Sequence, residues 1–234
     1  MSEISNNGIV SSVVERSRGL VLILLVILLS TISISCNSEN ASDCFQDTGE
    51  IIREEVDVQE FTKITVFENV TLVIKQGPAQ KVEIETGKNL RNEVNAVVED
   101  GRLLLTDTND CNYVRDYGTT IVYVTTSNLT EIRSSTGYPI RSDGILNYES
   151  LSLLSESFAV PEAVTTDGEF NLNLNVSSLG ITVNGIAYFN LRGNVETFNI
   201  NIAAGDSRIE AEELVAQNVN INHRGSNDVL INPQ

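Results

Sequence analysis

Leu172-Asn173-Leu174-Asn175-Val176-Ser177-Ser178-Leu179-Gly180-Ile181 alternates aliphatic and amide side chains, breaks on small residues, and then resumes its aliphatic beat. Alternation with period two marks a strand, because successive side chains of an extended chain point to opposite sides. The same order returns at Phe198-Asn199-Ile200-Asn201-Ile202-Ala203-Ala204-Gly205-Asp206-Ser207-Arg208-Ile209 and again from Val219-Asn220-Ile221-Asn222-His223 to Val229. Working outward from these three, five segments begin at Leu129, Leu151, Leu172, Phe198 and Val219, at spacings of 22, 21, 26 and 21 residues. A near-constant period built of strands predicts a β-solenoid in which each repeat is one coil, since no single repeat can bury its own apolar side. Leu172 and Leu174, Phe198 and Ile200, and Val219 and Ile221 are expected to point inward as aliphatic ladders. The 26-residue spacing predicts a bulge in the third coil around Gly185-Ile186-Ala187-Tyr188-Phe189.

The outward slots of the same segments hold Asn173 and Asn175, Asn199 and Asn201, and Asn220 and Asn222, which should stack into one polar stripe. Stacked carboxamides can hydrogen-bond to one another and stabilise the coils unaided. They can equally present an amide-rich face, with Tyr188 nearby, to a glycan or protein ligand.

Upstream, Ile64, Val66, Val70, Leu72 and Ile74 alternate with polar positions, and Val97-Val98-Glu99-Asp100-Gly101-Arg102-Leu103-Leu104-Leu105 reads as a hairpin on a tight Asp-Gly turn. Thr119 to Thr125 adds a strand, and Lys88 to Ala96 holds at most a helical turn. The expected fold is therefore all-β. An antiparallel strand and hairpin part over 57–128 precedes the repeat coils of 129–234.

The first 35 residues read as a targeting segment. Arg16 and Arg18 precede a ten-residue apolar run from Leu20 to Leu29, which then fades into Ser33-Ile34-Ser35-Cys36. The run suits a secretory signal, whereas a membrane span needs about 20 apolar residues. A small residue before Cys36 resembles a bacterial lipobox with serine at the usual leucine position, so residues 1–35 are expected to be cleaved and Cys36 lipidated. An uncleaved anchor is the alternative, and both place the body outside the cytoplasm. Residues 36–56 then serve as a lipidated tether and 57–234 as the domain. With Cys36 used, Cys44 and Cys111 are left either to pair as a disulfide or to stay free thiols.

The formal charge of −17 argues against nucleic acid as a partner and leaves a membrane to be held through the lipid. Catalytic signatures are thin. The lone histidine, His223, falls in an outward slot beside Arg224, and no Gly-x-Ser-x-Gly elbow or phosphate loop is present. Asp107-Thr108-Asn109-Asp110 gathers oxygens without the glycine and distal glutamate of a calcium loop and reads as a polar turn. Asp167, Glu169, Glu196, Asp206, Glu210, Glu212 and Glu213 supply carboxylates for a β-helix hydrolase, but as seven of 32 acidic residues they read better as solvated surface. No catalytic residue, metal or cofactor is expected.

The lipobox, the opening run Phe61-Thr62-Lys63-Ile64-Thr65-Val66 through Gly77, the Asp100-Gly101-Arg102-Leu103 hairpin and the small-residue-punctuated repeats together resemble the putative auto-transporter adhesin, head GIN domain family. The resemblance covers residues 60–232. Where that family shows Ser-Gly turns, this chain has Ser134-Ser135-Thr136-Gly137, Ser177-Ser178-Leu179-Gly180, Ala203-Ala204-Gly205-Asp206 and Arg224-Gly225-Ser226, while Ser155-Glu156-Ser157-Phe158 lacks glycine. The resemblance implies a right-handed β-helix-like fold on an outer-membrane lipoprotein, with the periplasmic or surface leaflet open. Its implied role is non-enzymatic adhesion or protein and glycan contact. A carbohydrate-active β-helix enzyme and a structural envelope protein are the alternatives.

Overall fold

The computed structural model describes residues 43–67, 69–109, 111–158 and 165–234. The expected signal segment 1–35 and Cys36 lie outside the described residues. The strands are β1 (Ile51–Val56), β2 (Lys63–Val66), β3 (Val70–Gln76), β4 (Lys81–Gly87), β5 (Val94–Glu99), β6 (Arg102–Asp107), β7 (Thr120–Thr126), β8 (Glu131–Ser134), β9 (Pro139–Ser155), β10 (Glu169–Val183), β11 (Tyr188–Ile202), β12 (Arg208–His223) and β13 (Val229–Pro233). Helix among the described residues is limited to single 3-10 turns at Asp43–Phe45 and Arg91–Glu93, the second falling within the stretch read as a helical turn. The chain is all-β.

One 13-stranded sheet folds over on itself into two faces. The front face runs β1-β4-β7-β3 and on through the first halves of β9 to β12, ending at β13. The back face runs β5-β6-β2-β8 and on through the second halves of β9 to β12. The long strands pass from one face to the other at a corner that the sequence writes as two consecutive outward residues. Ser177-Ser178 stand between buried Val176 and Leu179, and Glu196-Thr197 between buried Val195 and Phe198. Glu149-Ser150 and Gln217-Asn218 are stacked on them, and the pairing ladder skips one residue there in every strand.

The core lies between the faces and is built as ladders. Ile84, Val122, Leu72, Ile140, Phe170, Phe189, Ile209 and Val229 are in register along the front, and Leu103, Ile64, Ile132, Leu153, Ile181 and Ile200 along the back, where Ile221 continues the row at the open end of the stack and is 46% exposed. Phe170 and Phe189 stack face to face with ring centroids 4.7 Å apart. Burying each such side chain contributes about 1.5–3 kcal/mol, so a periodic apolar pattern is worth keeping in register.

The register corrects several expectations. Leu179, not Leu172, is paired with Phe198, and Leu151, Leu179, Phe198 and Val219 form one inward row, while Leu172 pairs with Leu191. Each long strand carries two alternating stretches, one on either side of its corner, and the amide-aliphatic pattern of the front stretch of β10 mimics the back stretch of β11. Ser177-Ser178-Leu179-Gly180 is accordingly the corner of a continuous strand, whereas Ala203 to Asp206 and Arg224 to Ser226 do lie in the turns between strands. Gly185 to Ala187 sit in a short turn between β10 and β11, and the long connection lies between β9 and β10. Gly185 permits that tight turn because a Cβ there would stand 2.0 Å from the Thr166 carbonyl oxygen.

The hairpin of β5 and β6 is present, with Asp100 at φ 49° and Gly101 at φ 72° in the left-handed conformations such a two-residue turn needs. The region 57–128 is only partly antiparallel, however. β3 pairs in parallel with β7 and β9, and β2 with β6 and β8, so four short strands extend the stacked faces directly. Alternation specifies which side of a strand is apolar and says nothing of the direction of its neighbour. Among the described residues, antiparallel pairing is confined to β1 with β4, β4 with β7, and β5 with β6. β1 itself arises within the stretch read as tether. Its charged Arg53-Glu54-Glu55 disguises an edge strand, where Arg53 pairs with Glu83 at 3.1 Å and lies 3.6 Å above the Tyr123 ring. Just before it, Cys44 and Cys111 are joined by a disulfide across 67 residues.

Candidate functional site

The outer surfaces of both faces are rows of polar side chains, placed there by the same alternation that fills the core. On the back face Asn220 donates to Asn199 at 3.0 Å and Asn222 to Asn201 at 2.8 Å. The ladder stops there, because Gly180 and Thr182 hold the corresponding places on β10. Asn173 and Asn175 are not part of it. They lie on the front face, where Asn175 donates to Asn147 at 2.8 Å and is in register with Asn194, while Asn173 is in register with Arg192. The expected single stripe is thus two separate amide rows on opposite faces, for the same reason that the register shifted.

Beside the front row, on the side away from the corner, the front face carries a trough of about 330 Å³ lined by Arg141, Ser142, Asn171, Asn173, Asn190 and Arg192. Two irregularities shape it. On one side β9 bulges between its pairings with Asn171 and Asn173, with Gly144 at φ 90°, and on the other β12 bulges between its pairings with Asn190 and Arg192. β10 and β11 run straight between them with Phe170 and Phe189 beneath, which fixes Asn171 and Asn190 side by side above the ring stack. Ser142 Oγ accepts the Asn173 backbone N–H at 2.8 Å and anchors the bulge to the floor.

The electrostatics of the trough set it apart from the rest of an acidic surface. Asp143 is held by Lys75 at 3.0 Å, and Glu169 accepts from Asn171 at 2.6 Å. Glu210 accepts from both the Tyr188 hydroxyl and Arg208 Nε. The Tyr188 hydrogen bond, seconded by Arg208, holds the Glu210 carboxyl below its ordinary value, and the same bond raises the Tyr188 phenol. Arg192 meets Glu213 at 3.3 Å with both side chains more than half exposed. Among the described residues, Arg141 has no hydrogen-bond or ion-pair partner, and the carboxamide of Asn190 has none either.

Among the described residues, His223, Asp107 and Asp206 are each engaged in local hydrogen bonds. His223 is in register with inward Ile202 rather than in an outward slot, and it is exposed because the stack ends there. Its Nδ1 accepts the Gly225 N–H at 3.1 Å and its Nε2 faces the Asn227 carbonyl at 2.8 Å, so the ring closes a turn. Asp107 is buried and consumed by Thr120 and Asn109. Asp206 accepts from Ser226 at 2.7 Å, and Glu210 is occupied as described, so these two do not form an acid pair. No group of three or more histidine, cysteine or acidic side chains among the described residues could hold a metal ion. No helix among them is long and apolar enough to cross a membrane.

Arg141, Ser142, Asn171, Asn190 and Arg192 were not marked by the repeat spacing. The signal for them is Phe170-Asn171-Leu172 returning as Phe189-Asn190-Leu191, a 19-residue recurrence overshadowed by the resemblance between Leu172-Asn173-Leu174 and Phe198-Asn199-Ile200.

Compared with known proteins, residues 60–234 match the family described as putative auto-transporter adhesin, head GIN domain. Among solved structures, a putative adhesin from Bacteroides fragilis is similar at 18% identity and a TM-score of 0.65, over 78% of this chain and 81% of that one. A putative adhesin from Parabacteroides merdae is similar at 17% identity and a TM-score of 0.51, over 77% and 82%. At those identities the likeness speaks for the fold. No curated protein matches by sequence.

Proposed function

Because the chain belongs to the putative auto-transporter adhesin, head GIN domain family, we propose that it is a non-enzymatic cell-surface lipoprotein whose polar β-faces make adhesive contact with a glycan or protein. The observation that carries this reading is the outer surface itself. Amide, hydroxyl and guanidinium groups are set in rows on a rigid sheet, and Asp143, Glu169, Glu210 and Glu213 beside the front-face trough are bound to other side chains. Rigid rows of hydrogen-bonding groups suit repeated contact with a flat or polymeric ligand, and hydrolysis would need a free acid pair.

The in-register parallel pairing of β9 to β13 supports reading the body as a right-handed β-helix-like solenoid, continued by β2, β3, β6 and β7. Cys36 would tether it through lipid after removal of residues 1–35. Membrane retention of the full chain, lost in Cys36→Ala together with acyl labelling, tests the anchor; unchanged labelling refutes it. Adhesion is tested by displaying the full chain on cells and probing glycan and envelope-protein arrays. Specific binding absent from cells lacking the chain is expected. Silence on every array would leave a structural envelope role and overturn adhesion.

A further inference from the structure

We propose that the trough between Arg141 and Arg192 binds an acidic saccharide, with Arg141 taking a uronic-acid carboxylate and the carboxamides of Asn171, Asn173 and Asn190 taking ring hydroxyls. This rests on the contact role proposed above and names its ligand class.

In a chain of formal charge −17, an arginine with neither hydrogen bond nor ion pair among the described residues is a cation kept available. The carboxylates around the trough have partners other than Arg141: Asp143 is engaged by Lys75 and, on the far strand, Glu210 by Tyr188 and Arg208, while Glu169 accepts from Asn171 at the trough's edge. A guanidinium left in that state offers paired N–H donors in the geometry of a carboxylate. Arg192 is only loosely engaged, since its ion pair with Glu213 is exposed and readily exchanged. It supplies a second cation at the opposite end of the trough.

The floor argues for a sugar over a peptide. The β10 and β11 backbones are paired with each other and with β9 and β12, so the floor offers little free main-chain edge for an added strand. The lining is amide, hydroxyl and guanidinium, with Leu172 its one aliphatic residue, so there is no apolar socket for a peptide side chain. Recognition must run through side-chain hydrogen bonds, and a hydroxyl-rich ring supplies the matching partners. The volume of about 330 Å³ lies at the small end of ligand sites, which span ~300–1,000 Å³, and suits one or two rings of a longer chain.

The test is calorimetric titration of the full chain, purified in detergent micelles, with a galacturonic acid trimer and with its methyl ester. The acid is expected to bind at least tenfold more tightly than the ester. Arg141→Gln should erase that difference, Arg141→Lys should restore part of it, and Arg192→Gln should weaken binding severalfold. Arg141 is exposed, so an unchanged urea midpoint certifies the variants as folded. Equal binding of acid and ester, or an Arg141→Gln variant that binds like the parent, overturns the site. Array binding that survives in Arg141→Gln would reject this trough while leaving adhesion standing. Loss of all array binding by the parent would reject both.

Discussion

Arg133 of β8 donates to Glu156 Oε1 at 2.7 Å, with both side chains about one-twentieth exposed, and the other Glu156 oxygen accepts the Phe158 N–H at 2.6 Å. A carboxylate thus organises the turn after β9, at the one repeat where the sequence offers no glycine. Removing one partner of a buried pair strands the other charge, which costs about 3–5 kcal/mol. Glu156→Ala is expected to lose stability on that scale in urea unfolding. Arg133→Met combined with Glu156→Leu should recover much of it, because no buried charge is then left unpaired. A Glu156→Ala loss below about 1 kcal/mol would show that the pair is hydrated.

The bond between Cys44 and Cys111 closes a loop with a separation of 67 residues and fastens the chain ahead of β1 to the loop ahead of β7. Loops of that length lose substantial unfolded-state entropy on cross-linking, and removing such a bond costs about 2–5 kcal/mol. The double variant Cys44→Ala, Cys111→Ala is expected to unfold at lower urea by that amount. Reduction of the parent should lower its midpoint to the same value, whereas reduction should leave the variant unmoved.

The fold class was legible because alternation is a local property: Leu172, Leu174, Phe198 and Ile200 declare inward positions without reference to any neighbour. The register was harder to read. Leu172-Asn173-Leu174-Asn175 and Phe198-Asn199-Ile200-Asn201 are chemically interchangeable, yet corners at Ser177-Ser178 and Glu196-Thr197 send them to opposite faces. Two consecutive polar residues within a strand were the available clue. Strand direction in β2 and β3 left no local trace, and the trough depends on Arg141 and Arg192, which are 51 positions apart and line its opposite ends only because the strands stack.

Gly193 shows how closely those rungs approach. Its φ is 110°, and a Cβ there would stand 2.0 Å from the Leu174 carbonyl oxygen. Both the backbone conformation and the contact oppose a side chain. Gly193→Ala is therefore expected to cost at least about 1–3 kcal/mol, the range for a strained backbone, and more if β10 must shift. Gly101→Ala is the contrasting variant: it has φ 72° and nothing within 4 Å of the added Cβ, so it carries the backbone strain alone. Urea midpoints should rank the two in that order, and an equal loss would assign the whole effect to φ.

Tyr148 is buried just before its corner, above Val176, and its hydroxyl has no hydrogen-bond partner among the described residues. Burial disfavours the phenolate and pushes the phenol up to about 12 from 10.0. Between those two values the unfolded chain releases the proton while the folded chain keeps it. The folded state then binds more protons, so stability is intact below pH 10 and falls as pH rises toward 12. The decline attributable to this group is at most about 1.4 kcal/mol per pH unit. Tyr148→Phe removes both the ionisation and the unsatisfied hydroxyl. At pH 8 the variant is expected to match the parent or exceed it by about 1 kcal/mol, since leaving such a group buried carries a penalty of that order. Above pH 10 the gap should widen, and the latest tyrosine step in an ultraviolet titration should vanish. A variant that is less stable at pH 8 and declines in parallel with the parent up to pH 11.5 would show that the hydroxyl is solvated, and that the alkaline sensitivity belongs to other groups.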